Sequence, residues 1–530
     1  MLRDRQALSQ NRNLFIALFV FCLAVCGLYW ARELALTAEG FPLDDAWIYL
    51  QFARAGAAGH YGEFNLGEPV TGITGPLWAL LLTPLHAVAG SHLTLLLALV
   101  KGLGVLLLFA SCLLIYDLGN VVFGDRRAGV LAAFFLPLMP KVVWGALSGM
   151  ESPLLVLLVL ACLDGMARWR RPGWQRDIVI PLLIGLAGQT RPEANLLFVI
   201  FVIDQAIEWR RVGAGRRLGS LAWAVVRQGA IVALIMAPNA LWSYSVAGQP
   251  LPNTFFAKTR GLDLAASLRF VALGSAMLWA DPPAGAALRD LFVWPPQSAG
   301  MALALAYAGL KAALTVGLFA WGVRAAPERR RLWPALAWLA GDFLLYAVFF
   351  TRTNRHYFVP MLPSIALLCG GGLAALSRLR AGRLWPAAGA VLLFFAIGAV
   401  QWADEYAWNV KNINDQQVAI GRWVAQTLPA DAVLAINDVG AIKYFSQRRV
   451  IDVTGLVTPA ILPYTRAGRK LDYLRLARPD YLIVYDSWFP EARQWSGFQL
   501  VREFRLDYNT IAGGDVVRAY RVLSFPPAAE

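Results

Sequence analysis

LFIALFVFCLAVCGLYWARELAL, residues 14–36, followed closely by FPLDDAWIYLQFARAGAAGHYGEFNLGEPVTGITGPLW, residues 41–78, sets the reading of the whole chain. The first stretch is apolar over a length that crosses a ~30 Å hydrocarbon core as a helix. Arg3, Arg5 and Arg12 precede it, it is too long for a signal-peptide core, and it has no small-residue cleavage site. It reads as an uncleaved span with its N-terminus inside. The second stretch is then an external loop that carries two adjacent carboxylates, Asp44 and Asp45, at the membrane surface.

Outward from this pair the pattern repeats. With 530 residues, 58% hydrophobic, 15% charged and a mean hydropathy of +0.52, the chain is outside the soluble, fibrous and disordered classes. Its net charge of +14 comes from clusters between apolar runs, at Arg126-Arg127, Arg168 to Arg176, Arg210 to Arg217, Arg324 to Arg331 and Arg378 to Arg383. Cytoplasmic loops account for these better than a nucleic-acid partner does. Holding every cluster inside requires about eleven spans, near 14–36, 93–118, 128–146, 153–168, 178–190, 194–208, 221–240, 300–322, 333–350, 357–377 and 385–403. The same parity demotes 77–90 and 262–280 to interfacial helices. External connections are then 37–92, 148–152, 247–299 and 351–357. The five cysteines lie in apolar runs without metal or redox spacing.

After Trp402 the composition turns polar. The division is a membrane domain, 1–403, and an extracytoplasmic α/β domain, 404–530, with strands expected at 432–436, 449–453 and 481–485 and a hairpin near 499–507 and 515–523. The fold class is an all-α polytopic membrane domain with this C-terminal domain outside.

One Asp after Pro-Leu can be a helix N-cap, but two exceed capping needs, and a partly desolvated carboxylate suits a general base. Glu151, in a tight turn, is a third acid on this face. Arg191, Lys258, Arg260, Arg352, Arg355 and His356 fall at external ends, where Lys and Arg are disfavoured, so they are candidates to bind an anion. Lys101, two turns into a span, is expected to snorkel or to pair internally. A transporter would concentrate ionisable groups at the midplane and often show internal repeats, and neither is evident.

The first loop resembles the signature of the GT-C glycosyltransferase superfamily, in the branch that includes the mycobacterial terminal arabinofuranosyltransferase and related bacterial polyprenyl-phosphate-sugar enzymes. SGMESPL (148–154), TRPEA (190–194), LPNTFFAKTRG (251–261), NRHYFVPMLP (354–363) and NDVGAIKYFSQRRVIDVTGLV (437–457) continue the similarity over nearly the whole chain. The resemblance implies a glycosyltransferase of the cytoplasmic membrane. Its donor is a sugar, arabinofuranose among the options, on a polyprenyl monophosphate, and its acceptor a glycan or glycolipid hydroxyl. Transfer is inverting, with Asp44 slightly preferred over Asp45 as base. Glu151, His60, Asn65, Glu68 and Asn253 are the expected substrate contacts, and the external cations hold the donor phosphate. A divalent metal, Mg or Mn, stays open. So do a ligase using a lipid pyrophosphate donor and a lipid or sugar transporter.

Overall fold

The computed structural model describes residues 2–212, 218–259, 262–279, 299–350, 355–378 and 385–525. All eleven expected spans coincide with helices. Among the described residues seven helices are long and apolar enough to cross a membrane: Asn11–Leu36, Leu93–Phe123, Gly219–Ala247, Ala306–Ala325, Arg329–Phe349, His356–Arg378 and Pro386–Thr427. The pair Arg126–Leu138 and Pro140–Leu147 is apolar enough when taken together but is bent by 63°, the geometry of a broken span or a re-entrant loop. Pro137 and Pro140 flank the break, where each removes a backbone donor. The other expected spans form shorter helices, Ser152–Arg168, Ile180–Thr190 and Leu196–Val212. Pro76–Ala89 and Leu264–Trp279, the two segments demoted by parity, are short apolar helices.

Lys101 pairs internally. Its Nζ lies 2.7 Å from both carboxylate oxygens of Glu33, with both side chains buried between the first span and Leu93–Phe123. Removing either partner alone would strand a charge in an apolar interior.

Composition changes near Trp402, but the backbone does not break there. The helix Trp385–Ile413 continues through a π turn, Asn414–Val418, into Ala419–Thr427, so the last span is also the stem of the tail. Two short strands of the first loop, β1 (Glu63–Asn65) and β2 (Glu68–Pro69), form a small hairpin. The tail sheet comprises β3 (Val433–Ile436), β4 (Arg449–Asp452), β5 (Tyr481–Tyr485), β6 (Phe498–Arg505) and β7 (Val516–Val522), in the order β4-β3-β5-β7-β6. β3 is parallel to β4 and β5, while β7 is antiparallel to β5 and β6.

Period-two burial sorts this sheet between two cores. Leu434, Ile436, Ile483 and Tyr485 join the main apolar core of the membrane domain. Ala435, Leu482 and Val484 face a smaller outer cluster with Leu474, Phe489 and Tyr520. One face of the tail is thus packed on the rest of the molecule.

Candidate active site

The helix Asp45–Ala57 starts at the acid pair, and its first turn sends the two carboxylates to different places. Asp44 does not cap its own helix. Its oxygens accept from the backbone N–H groups of Gly440 and Ala441, both at 2.7 Å, at the start of the tail helix Gly440–Ser446. Only a glycine fits at 440, because a Cβ there would lie 2.1 Å from the Asp44 carbonyl oxygen. Burial pushes the Asp44 carboxyl well above its ordinary pKa; the Asp438 carboxylate adds to this and the two N–H donors pull back. The cap chemistry is present, on a helix almost four hundred residues away.

Asp45 lines a cleft with about 390 Å³ of open space. Lys258, from the short helix Asn253–Lys258, approaches its carboxylate at 3.5 Å, and both side chains are partly exposed. Burial acts to lower the Lys258 pKa, but Asp45, with Tyr357 and Glu151 behind it, outweighs this and holds it above its ordinary value. Tyr49 lies one turn along from Asp45 on the same face; Gly72, Ile73 and Thr74 of the first loop form a second wall. Thr74 Oγ1 bonds Thr254 Oγ1 at 3.0 Å, tying the walls together. Met150, Glu151, Arg191 and His356 close the floor, and Leu456 reaches in from the tail.

The candidate cations divide. Arg191 lines the cleft, but its Nη1 bonds Glu151 at 2.6 Å, its Nε pairs with Glu193, and its Nη2 bonds the Tyr346 hydroxyl at 3.1 Å. Its charge is balanced by two carboxylates, and Glu151 is correspondingly an anchor for Arg191. His356 is buried on the cleft floor with its Nε2 unpaired. Arg260 and Arg352 lie outside the described residues, as does the side chain of Arg355.

Four expected substrate contacts, His60, Asn65, Glu68 and Asn253, do not line the cleft. His60 is about half exposed and pairs with Glu63 at 3.2 Å. Asn65 accepts from the Val450 N–H at 3.0 Å and donates to the Val450 carbonyl at 2.9 Å, so its amide completes the edge of β4 as a neighbouring strand would. Glu68 pairs with Arg449 at 2.6 Å. Asn65 and Glu68 dock the tail because β4 is an edge strand with backbone groups to satisfy. Asn253 is fully buried in the first turn beside Thr254, with both amide atoms unpaired.

Sequence reasoning missed Tyr49, Thr74, Thr254, Glu193, Tyr346 and Leu456. Two had a signal: Tyr49 is four residues after Asp45, and Glu193 is inside the same short motif as Arg191. Among the described residues no three His, Cys, Asp or Glu side chains are placed to hold a metal ion. The cleft acids face Lys258 and Arg191 instead, so the donor set among the described residues does not fit a divalent metal.

Residues 411–522 match a family model described as Domain of unknown function (DUF8728). A search of curated proteins finds no match. Among solved structures, ArnT from Cupriavidus metallidurans bound to undecaprenyl phosphate aligns with a TM-score of 0.58 at 12% identity, covering 94% of this chain and 97% of that one. Its apo state aligns at 0.57 and 14%, covering 97% and 98%. The apo oligosaccharyltransferase from Archaeoglobus fulgidus aligns at 0.60 and 13%, covering 95% of this chain and 74% of that one. At these identities the likeness is one of fold: the chain is a polytopic membrane protein with the GT-C fold.

Proposed function

We propose that the protein is an inverting glycosyltransferase that moves a sugar from a polyprenyl monophosphate to a hydroxyl of an extracytoplasmic glycan or glycolipid. The observation that carries this reading is the pairing of Asp45 with Lys258 at 3.5 Å in a partly open cleft. A lipid phosphate competes with Asp45 for the ammonium, and its arrival frees the carboxylate. Asp45 then takes the acceptor proton as the hydroxyl oxygen bonds to the anomeric carbon; the bond from that carbon to the phosphate oxygen breaks, and Lys258 neutralises the departing phosphate. His356 offers an unpaired ring nitrogen at the same floor. The undecaprenyl phosphate named for the ArnT structure supports a lipid monophosphate leaving group.

In this reading the protein sits in the bacterial cytoplasmic membrane, N-terminus inside and tail outside. Purified protein in lipid nanodiscs is incubated with glycan acceptors and a panel of polyprenyl-phosphate sugars, arabinofuranose included, and release of free polyprenyl phosphate is followed. Release from one donor, lost in D45N, is the expected result; no release from any donor refutes the reading. A polyprenyl pyrophosphate oligosaccharide in the panel separates the ligase reading, because its turnover alone would assign the other donor class.

A further inference from the structure

The tail carries a charge asymmetry that the transfer step does not use. Residues 462–478, LPYTRAGRKLDYLRLAR, hold five cations and one acid, whereas the rest of the tail, within 404–530, holds ten cations and thirteen acids. A segment of this sign on an otherwise acidic domain is the electrostatic footprint of a polyanion. It folds as two short helices, Leu462–Arg466 and Lys470–Ala477. Leu474 seats it on the outer cluster of the sheet, opposite the face that joins the main core, so its solvent side is turned away from the membrane domain. The surface therefore meets a partner in the external space and not the lipid headgroups.

Three features define the partner. The first is unbalanced charge. Asp472 accepts from Arg469 Nε at 2.6 Å and from Arg475 Nη1 at 3.2 Å, so a single carboxylate serves two guanidiniums and gathers them on one side of the helix. Arg466, Arg469 and Arg478 are exposed. Guanidiniums so placed fork carboxylate or phosphate groups. The second is an aromatic pair among them. Tyr464 and Tyr473 are half-buried with ring centres 5.5 Å apart, and the Arg469 N–H bonds the Tyr464 carbonyl at 2.8 Å. A tyrosine face takes the apolar side of a sugar ring, which favours a glycan over an acidic peptide. The third is continuity with the cleft. Gly455, at φ +86°, lets the chain fold back so closely that a Cβ there would meet the Leu462 side chain at 2.4 Å. The basic segment thus starts against the turn whose Leu456 lines the cleft.

We propose that residues 462–478 form a docking surface for an anionic glycan and lead an acidic acceptor from the tail to the cleft. The placing of an acceptor rests on the glycosyltransferase reading; the binding of an anionic glycan does not. The test uses the full chain in nanodiscs of zwitterionic lipid, with octagalacturonate, neutral maltooctaose and capped octaglutamate as probes in a titration of affinity against salt. Octagalacturonate should bind, and its affinity should fall several-fold between about 50 and about 200 mM salt, as screening of exposed charges requires. Maltooctaose should not bind, and octaglutamate should bind more weakly than octagalacturonate. R466Q/R469Q/R478Q, which changes only exposed side chains, should melt as the wild type and bind octagalacturonate at least about threefold more weakly, the least that three exposed ion pairs contribute together. Y464L should weaken octagalacturonate and leave octaglutamate unchanged, and D45N should bind as the wild type. In turnover, the triple variant should raise the KM of an acidic acceptor and leave kcat and the donor KM alone. No binding of octagalacturonate, or equal binding by wild type and the triple variant, overturns the surface. Octaglutamate bound as tightly as octagalacturonate overturns the glycan and assigns the face to an acidic protein. If Y464L does not fold, that comparison decides. Octagalacturonate binding without transfer from any donor would retain the surface and remove the enzymatic reading, whereas transfer without octagalacturonate binding would do the reverse.

Discussion

Adjacent carboxylates divide their work here because one is consumed by structure. Asp44 holds two backbone N–H groups of the tail, whereas Asp45 faces Lys258 across open space. Asp→Asn at the two positions therefore has opposite signatures. D45N should fold and melt as the wild type and lose about 10²–10⁴ in transfer rate, the usual worth of a general base. D44N leaves one acceptor oxygen and turns an amide N–H₂ toward a backbone N–H, so it should destabilise by about 1–3 kcal/mol and speed amide exchange at Gly440 and Ala441. Equal melting curves for D44N and wild type would refute this division. The acid pair was legible in the sequence, but Asp44's partner was not, because nothing local marks a contact between residues 44 and 440. Arg191 teaches the same lesson. The sequence marks it as a cation at an expected external helix end, yet Glu151 and Glu193 absorb its charge, so R191M should cost roughly 3–5 kcal/mol of stability, the price of breaking a buried pair. A variant that melts normally and loses only donor affinity would restore it as a donor contact.

The tail helix Gly440–Ser446 is the element through which loop and tail are joined. Arg54 donates to the Tyr444 carbonyl at 2.8 Å with its guanidinium 3.6 Å from the centre of the Tyr444 ring. Trp47 packs on the rings of Tyr444 and Phe445. His86, from the short apolar helix Pro76–Ala89, meets the Tyr444 hydroxyl at 3.3 Å. Burial, and then the Arg54 charge, depress the His86 pKa to about 4. The unfolded chain, with an ordinary His pKa of ~6.5, therefore binds more protons than the folded one between these values, and stability falls as pH drops through that window. Thermal melting from pH 7.5 to 4 should show this loss, and H86Q should flatten it. Burial also raises the pKa of carboxylates such as Asp44, Asp438 and Asp452, but these are common to both proteins, so the difference between the curves isolates His86. Identical pH profiles would refute its role in docking. The strands were individually legible, since those expected at 432–436 and 481–485 from periodicity form at Val433–Ile436 and Tyr481–Tyr485, whereas for the helix Asp45–Ala57 the sequence offered only a possible N-cap at the acid pair. Their contact was not, because period-two burial shows that a strand has two faces without saying which one meets the membrane domain.

At the scale of the whole molecule, the tail is a wall of the cleft as well as a cap above it. Leu456 lines the cleft, and Gly72 sits so near that a Cβ would be 2.9 Å from the Leu456 carbonyl oxygen. The loop 452–457 is held by Asp452, whose oxygens accept from the N–H groups of Thr454, Leu456 and Val457. The alternation in β3 and β5 carries the main core up into the sheet, so membrane domain and tail share one apolar interior. Separate domains would melt separately; a shared core predicts one transition. A Gly72→Val change tests the wall without touching the proposed chemistry. It leaves Asp45 and Lys258 in place and forces the Leu456 loop outward, so it should lower transfer by at least about tenfold, as a small misplacement of a positioning wall does. A single melting transition should persist. Two resolved transitions in the wild type would show that the tail folds apart from the cleft, and full activity in G72V would show that the tail's wall is dispensable. Either result would return the tail to a detached role and leave the cleft to the membrane helices alone.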